Sequence, residues 1–579
     1  MKKITLLTVI QLLFCFASLQ ATVHYVKVNG LGTGTSWTDA AGNIQDLIDK
    51  AAAGDEVWVA AGMYYPSYKT DVNNELSRTF LLKEGVRLYG GFAGTEKSIT
   101  ERVLSDSPWY KNGKTEPWEF LNETCLSGDI DGIQDDWAKI TVSNDWMWKY
   151  SANLEKNSKV VVTSPEGARN ETLLDGFIVT GAYENGIIAQ EKTIIQNCMV
   201  IFNLGGIHSN GSLIINSYIA NNQSLRGGGI YNNKGIVENC TIENNNANYG
   251  SSTLTAGYGG GIYNFEGEII NCVIKNNHAR TYHSGYAYTS AHARAEGGGI
   301  YNDNGKVDRC LIMNNSVYCV SYISGGAYRN AYAYGGGILN QNGGTISNCC
   351  VTNNKIYASS SYATGGSTGG GLCNTSIGIV YNSTVINNVK YPAPGAGSYI
   401  TNDYYQADNS FSYNCITETT DIGQHFVLPT SFTGIANNEG QSAELLQANW
   451  SLKPGSKYID AGTTDKLPGW ILTGTDLAGN PRINNGKIDM GAYEYSTQST
   501  GINHLRQNNF TVFPNPADDF INISGLQLNE SIYIFNMNGQ IVLTYTATGK
   551  DEKLSVGHFP SGIYFVYVAN RPTVKWIKK

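Results

Sequence analysis

The sequence predicts an all-β protein: a parallel β-helix solenoid with an N-terminal cap helix, followed by a small C-terminal β-sandwich. Three observations predict it. The motif GGGIYN recurs at Gly227, Gly259 and Gly297, with GGGILN at Gly335, GGGLCN at Gly369 and a degenerate GGIHSN at Gly205. Segments of varying length are inserted at one fixed position of that repeat. From residue 508 the pattern changes to alternating strands with Asn-Gly turn signals.

Composition narrows the class. The 579 residues include 66 glycines and 37 tyrosines but are only 15% charged, against about 25% in ordinary domains. Hydrophobic residues at 41% exclude a disordered chain. The formal charge is −8, or −10 once a leader with two lysines is removed, so no nucleic-acid partner is expected. Met1-Lys2-Lys3, the apolar run Ile4 to Leu19 and a small residue at Ala21 mark residues 1–21 as a secretory signal peptide. Phe14 before Cys15 argues against a lipoprotein. No later run reaches the ~18 apolar residues of a membrane span, so the exported chain is expected to have none.

Each repeat continues in the same way. Cys240, Cys272 and Cys310 lie eleven residues after the last glycine and Cys349 twelve, with Ser217 and Ser383 in the same place in the outer copies. An aliphatic residue and an Asn-Asn pair follow, from Asn221-Asn222 to Asn387-Asn388. The minimal unit of about twenty residues is the period of a β-helix coil. Stacked coils lie ~4.8 Å apart. They should align Ile230, Ile262, Ile300, Ile338 and Leu372 as an inward aliphatic ladder, and Asn232, Asn264, Asn302, Asn340 and Asn374 as a turn ladder of mutually bonded amides. The cysteine column reads as free, buried thiols, since the repeat lacks the His and carboxylate partners of a metal site.

The inserts 246–258, 278–296, 316–334 and 355–368 leave every coil at the same corner and must form one lateral surface. They alternate Tyr with Ala and Ser around Gly turns, a pattern read as hairpins. Tyr282, Tyr286, Tyr288, Tyr318, Tyr322, Tyr328, Tyr332, Tyr334, Tyr357 and Tyr362 are the candidate ligand-binding residues. Tyrosine offers broad contact area and a hydroxyl at low entropic cost, which suits a glycan or a host surface.

The stacked GG-x-[IL]-x-N repeat with its Asn-Asn pairs resembles the right-handed parallel β-helix family of pectate-lyase-like enzymes and polymorphic outer-membrane adhesins. VHYVKVNG with the amphipathic stretch around Ile44, Leu47, Ile48 and Ala51 is similar to that family's entry strand and cap helix. IDAGTTD with TDLAGNPRINNGKIDMGAYEY, residues 460–495, is similar to the closing segment of surface β-helices of Bacteroidetes. FTVFPNPADDFINI, SIYIFNMNGQIV and FPSGIYFVYV ending in WIKK resemble the type IX secretion sorting domain, an immunoglobulin-like sandwich. That resemblance implies the type IX translocon as a partner through residues 508–579, and a secreted or surface-attached product. His558-Phe559 depart from the usual pattern of that domain.

The expected organisation is a signal peptide at 1–21, cap and first coils at 22–100 and a Trp/Asp-rich insertion at 101–160. Repeat coils with Tyr-rich loops follow at 161–425, a closing segment at 426–495, a linker at 496–507 and the sorting domain at 508–579. β-Helix lyases and hydrolases need clustered carboxylates, yet residues 173–395 hold ten Asp/Glu and eleven Lys/Arg. Glu266 with Asp303, one coil apart, is the best catalytic pair. His283 and His292 share a loop with His278, Arg280, Arg294 and Glu296, but at no rigid metal-ligand spacing. Asp129, Asp131 and Asp135 faintly resemble a calcium loop without its closing glutamate. No cofactor is expected, calcium being the alternative. The function expected is a non-catalytic adhesion or glycan-binding scaffold, the alternative a polysaccharide lyase or glycoside hydrolase.

Overall fold

The computed structural model describes residues 21–105, 116–132, 142–143, 147–148 and 154–422, short stretches of 452–495, and 510–579. Within these ranges 250–255, 287–292, 325–329, 361–365, 391–399, 402–403, 408–410, 414–415, 418–419, 527–529, 537–540 and 569–573 are not described. The chain divides into two units, 22–495 and 496–579.

The first unit is a β-helix. Sheet I runs through 12 strands from Val23–Val26 to Phe411–Tyr413, sheet II through 12 from Tyr68–Lys69 to Thr420–Ile422, and sheet III through 11 from Gly62–Tyr64 to Ile416–Thr417. Apart from the antiparallel pair Tyr68–Lys69 with Arg78–Leu81 at the edge of sheet II, their described pairings are parallel and join equivalent strands of successive coils. One coil shows the plan: Ile262–Phe265 in sheet II, Glu268–Ile270 in sheet I, Val273–Lys275 in sheet III. Its Ile262, Ile269, Cys272 and Ile274 are wholly buried, each aliphatic contributing about 1.5–3 kcal/mol of hydrophobic stabilisation.

A seven-residue helix, Ile44–Lys50, covers the N-terminal end. Asn43 caps it by accepting from the Gln45 amide, and Ile44, Leu47 and Ile48 face the core. The Gln45 side chain accepts from the Leu81 amide at 2.9 Å and donates to its carbonyl at 3.1 Å. The helix thereby satisfies backbone groups at a sheet edge that would otherwise lie open.

The aliphatic ladder forms as expected, with Ile230, Ile262, Ile300, Ile338 and Leu372 in register. Asn232, Asn264, Asn302, Asn340 and Asn374 lie inside the strands of sheet II, each donating to the next at 2.7–2.8 Å. The Asn-Asn pairs divide their labour. The first member turns the corner in the left-handed region, as at Asn276 with φ 56°, a conformation asparagine tolerates. The second enters the core as a further ladder: Asn222, Asn245, Asn277, Asn315, Asn354 and Asn388 donate one to the next at 3.0 Å.

Glycine is required in the GGG motif because two backbones meet there. Gly297 has φ 64°, and a Cβ on Gly298 would lie 2.2 Å from the Gly336 carbonyl oxygen of the next coil. The nine described cysteines are free and buried. Burial pushes the Cys272 and Cys310 thiols well above their ordinary range, which makes them inert packing groups.

Leu477, Met490, Ala492 and Tyr493 lie against the outer face of sheet III, packed with Leu311, Cys350 and Ile386. An ionic staple holds this segment together. Arg482 is fully buried and pairs with Glu494 at 2.7 Å. Arg309, itself paired with Asp308 at 2.7 Å, reaches across to donate to the Thr475 carbonyl at 3.1 Å.

Residues 510–579 form two antiparallel sheets. Thr511–Phe513, Phe520–Ser524 and Asp551–Ser555 make one, and Ile541–Thr546, Ser531–Asn536, Gly562–Val568 and Val574–Lys578 the other. A shared core of Phe510, Ile521, Ile534, Val566 and Trp576 closes a β-sandwich.

Candidate functional site

The inserts stack on one another but are not hairpins. Their first arms, including His278–Tyr286, Ser316–Ser324 and Lys355–Ser360, pair in parallel from coil to coil within a seven-stranded sheet. Their second arms, Ala256–Tyr258, Ala293–Glu296, Ala331–Tyr334 and Gly366–Thr368, form a four-stranded parallel sheet. Each chain segment finds its hydrogen bonds in the next coil, because the inserts inherit the solenoid's register at their roots. The two sheets meet over a core of Ala247, Ala279, Ala295, Val317, Ala331, Ala333 and Ile356. Small inward side chains make a thin fin, and the residues alternating with them face outward.

The candidate tyrosines therefore lie on two faces. On the first sheet Arg280, Tyr318 and Tyr357 share a column. The Arg280 guanidinium sits 5.2 Å from the Tyr318 ring centroid, and Tyr318 stacks on Tyr357 at 4.9 Å. Tyr282 on the same sheet is 48% exposed. On the second sheet Tyr332 and Tyr334 are side by side at 6.4 Å. Tyr286 and Tyr322 lie in described strands, without described side chains, while Tyr288, Tyr328 and Tyr362 fall outside the described residues.

The second fin sheet leans over sheet II and closes an aromatic cleft. Tyr258, Tyr263 and Tyr334 pack on Tyr301, Leu339 and Cys373, and Tyr258 meets Tyr301 edge-on at 5.3 Å. Along the outer face of sheet II runs a ladder: His208 on Tyr231 at 4.7 Å, Tyr231 on Tyr263 at 5.2 Å, Tyr263 on Tyr301 at 4.8 Å, all stacked. Burial lowers the His208 pKa, so its ring is neutral at pH 7. These four residues share the fifth position of the GGGIYN motif, or its GGIHSN counterpart. The repeat carries that signal in the position between its aliphatic and asparagine ladders.

Arg226, in the four residues that begin the fin, is exposed, with its guanidinium 5.7 Å from the ring centroids of both Tyr258 and Tyr263. Deeper in the cleft, Arg294 pairs with Glu296 at 2.7 Å, and the Glu296 side chain is 3% exposed. Burial raises the Glu296 carboxyl above the ordinary range, against the pull of Arg294.

The remaining sequence candidates are placed as follows. Glu266 is exposed and pairs with Lys234 at 3.4 Å. Asp303 accepts from Asn342 at 2.7 Å and Gln341 at 3.4 Å. The two residues share a backbone bond, Glu266 N–H to Asp303 carbonyl at 2.9 Å, but each carboxylate is engaged by its own neighbours. His278 shares a hydrogen bond with Ser316 at 2.7 Å. His283 lies in a described strand without a described side chain, and His292 is outside the described residues. Asp129 is buried and accepts from the Gly132 amide at 2.9 Å, Asp131 is exposed, and Asp135 lies outside the described residues. Among the described residues no three His, Cys, Asp or Glu side chains cluster in a way that could hold a metal. Trp118 stacks on Tyr218 at 6.0 Å over the outer face of sheet III.

Fold and tail together define an exported β-helix protein. Residues 511–579 match the secretion system C-terminal sorting domain, the type IX signal that sends a chain to the cell surface or the medium. A 64-residue stretch is 33% identical to beta-agarase A of Zobellia galactanivorans, covering 11% of this chain and 12% of that enzyme. Among solved structures, pectate lyase Pel9A is similar over 82% of this chain and 96% of its own, at 14% identity and a TM-score of 0.37. XylC in complex with xylose covers 92% and 100% at 11% identity and a TM-score of 0.30. The β-helix assignment itself rests on the strand register. No helix among the described residues is long and apolar enough to cross a membrane.

Proposed function

We propose that this protein is an exported, non-catalytic β-helix scaffold that binds extended glycans through its aromatic fin and the cleft beneath it. The observation that carries the reading is the division of labour in the inserts: alanine fills the fin core and aromatic rings are stacked outward in columns. Rings projecting from the fin offer apolar surface with hydroxyls at its edge, which suits a sugar ring with its apolar C–H patches and equatorial hydroxyls.

One feature favours an enzyme, namely Glu296 with its raised carboxyl pKa beside Tyr258 and Tyr301. A perturbed carboxyl in a cleft is a recognised mark of an acid–base group. Against this, Glu296 is shielded from solvent and tied to Arg294. Hydrolysis by two carboxylates needs a second one about 5–9.5 Å away.

The test is a glycan array on the exported chain, beside assays for new reducing ends and unsaturated uronates. Replacing Tyr318, Tyr332 and Tyr357 together with serine should weaken binding at least tenfold, since each aromatic contact is worth about 0.5–1.5 kcal/mol. The circular-dichroism melt should be nearly unchanged. Undiminished binding by the triple variant would remove the fin from the site, and release of reducing ends or unsaturated uronates would make the protein an enzyme.

A further inference from the structure

We infer that the open groove at the N-terminal root of the fin is a subsite for the acidic group of a polysaccharide, a carboxylate or a sulfate, held by Arg226. This rests on the glycan-binding reading above and names the class of glycan. The groove has a volume of about 700 Å³ and is lined by Tyr183, Glu184, Leu204, His208, Arg226 and Tyr231, a size suited to a few sugar units.

Its charge is one-sided. Glu184 is neutralised by Lys159 at 2.9 Å, and His208 is held neutral by burial. Among the described residues no carboxylate lies within ion-pairing distance of Arg226, so none of them compensates its charge. Farther along the ladder Asp303 lies near Tyr263 and Tyr301, and Glu296, itself paired with Arg294, near Tyr258 and Tyr301. An acidic group is therefore attracted to the Arg226 end and disfavoured at the Tyr301 end.

The geometry fits that task. Arg226 is supported by two tyrosine rings, which limit its rotamers while leaving guanidinium N–H groups free to grip two oxygens of an acid group. The rings of His208 and Tyr231 line the same groove, so a sugar ring and its acid substituent are met together. A protein of net charge −8 that displays an uncompensated arginine on an aromatic floor selects an acidic sugar polymer over a nucleic acid, which would require a broad basic surface.

The experiment uses the exported full chain and two matched polymer pairs at 0.15 M salt: polygalacturonate against its methyl ester, and dextran sulfate against dextran. Dissociation constants are compared for the parent, Arg226→Gln and Arg226→Lys. The expectation is that at least one acidic polymer binds tenfold or more tighter than its neutral counterpart. Arg226→Gln should remove that preference, the acidic polymer then binding no more than twofold tighter than its neutral counterpart, and Arg226→Lys should restore only part of it. The pair that shows the loss identifies carboxylate or sulfate. Equal binding of acidic and neutral forms, or an acidic preference that survives in Arg226→Gln, overturns the subsite and leaves glycan binding standing. If none of the four polymers nor any array glycan binds, both readings fall.

Discussion

Replacing Asn277 with alanine should open the β-helix locally and severely. The Asn277 side chain donates to the carbonyls of Ile242 and Lys275 at 2.9 and 3.0 Å and to Asn315 Oδ1 at 3.0 Å. Its Oδ1 accepts from the Asn245 backbone amide at 2.9 Å and from Asn245 Nδ2 at 3.0 Å. Alanine leaves the buried Asn245 amide without its acceptor, while Asn245 Nδ2 keeps the carbonyls of Ile219 and Glu243. One orphaned buried donor costs about 1–3 kcal/mol, and the two N–H groups of the Asn277 amide, shared among its three acceptors, about 1 kcal/mol each, so the total is about 3–5 kcal/mol. A global melt would dilute this, because solenoid stability is a sum over neighbouring coils. Hydrogen exchange followed by mass spectrometry resolves it. Amides in 241–246, 273–278 and 311–316 should exchange roughly two to three powers of ten faster, while those in 57–60 and 87–92 keep their protection. Acceleration below fivefold, or spread evenly along the solenoid, would refute the view that the ladder holds adjacent coils together.

Three further outcomes follow from the same structure. Cys240→Ser and Cys272→Ser should fold with a loss of about 1–2 kcal/mol, because Ser217 and Ser383 already occupy that column. Thiol titration of the unreduced, denatured chain should find its cysteines reduced. Arg482→Met should destabilise residues 460–495 by about 3–5 kcal/mol, since Glu494 is left buried without its partner. Limited proteolysis should then cut this segment first. His278 has its pKa pushed down to about 4 by burial, then by Arg280 and Lys355. With the folded value below the unfolded one, its contribution is fully present above pH 6.5 and is lost as pH falls from about 6.5 to 4. That loss is about 3 kcal/mol, and His278→Gln should flatten this part of a pH-stability profile.

The sequence by itself determined the solenoid. Ile262 and its equivalents, the asparagine pairs and the glycine triplets keep the same order and nearly the same spacing within every copy, and stacking identical positions is the one way each coil can bury its apolar face. The alternating strands and apolar positions of residues 510–579 likewise sufficed for the sandwich, because a period of two with tight turns depends only on local geometry. The inserts mark the limit. Alanine and tyrosine alternate identically in a hairpin and in stacked parallel arms, so the pattern of His278–Tyr286 specifies a strand but not its partner. Register with the neighbouring coil decided that, placing Tyr318 and Tyr332 on separate sheets of the fin. The ladder of His208, Tyr231, Tyr263 and Tyr301 was written in the repeat. The placement of Arg226 over Tyr258 and Tyr263 was not. That contact joins positions 32 and 37 residues apart, and only the stacking of one coil on the next brings a guanidinium and two rings into one groove.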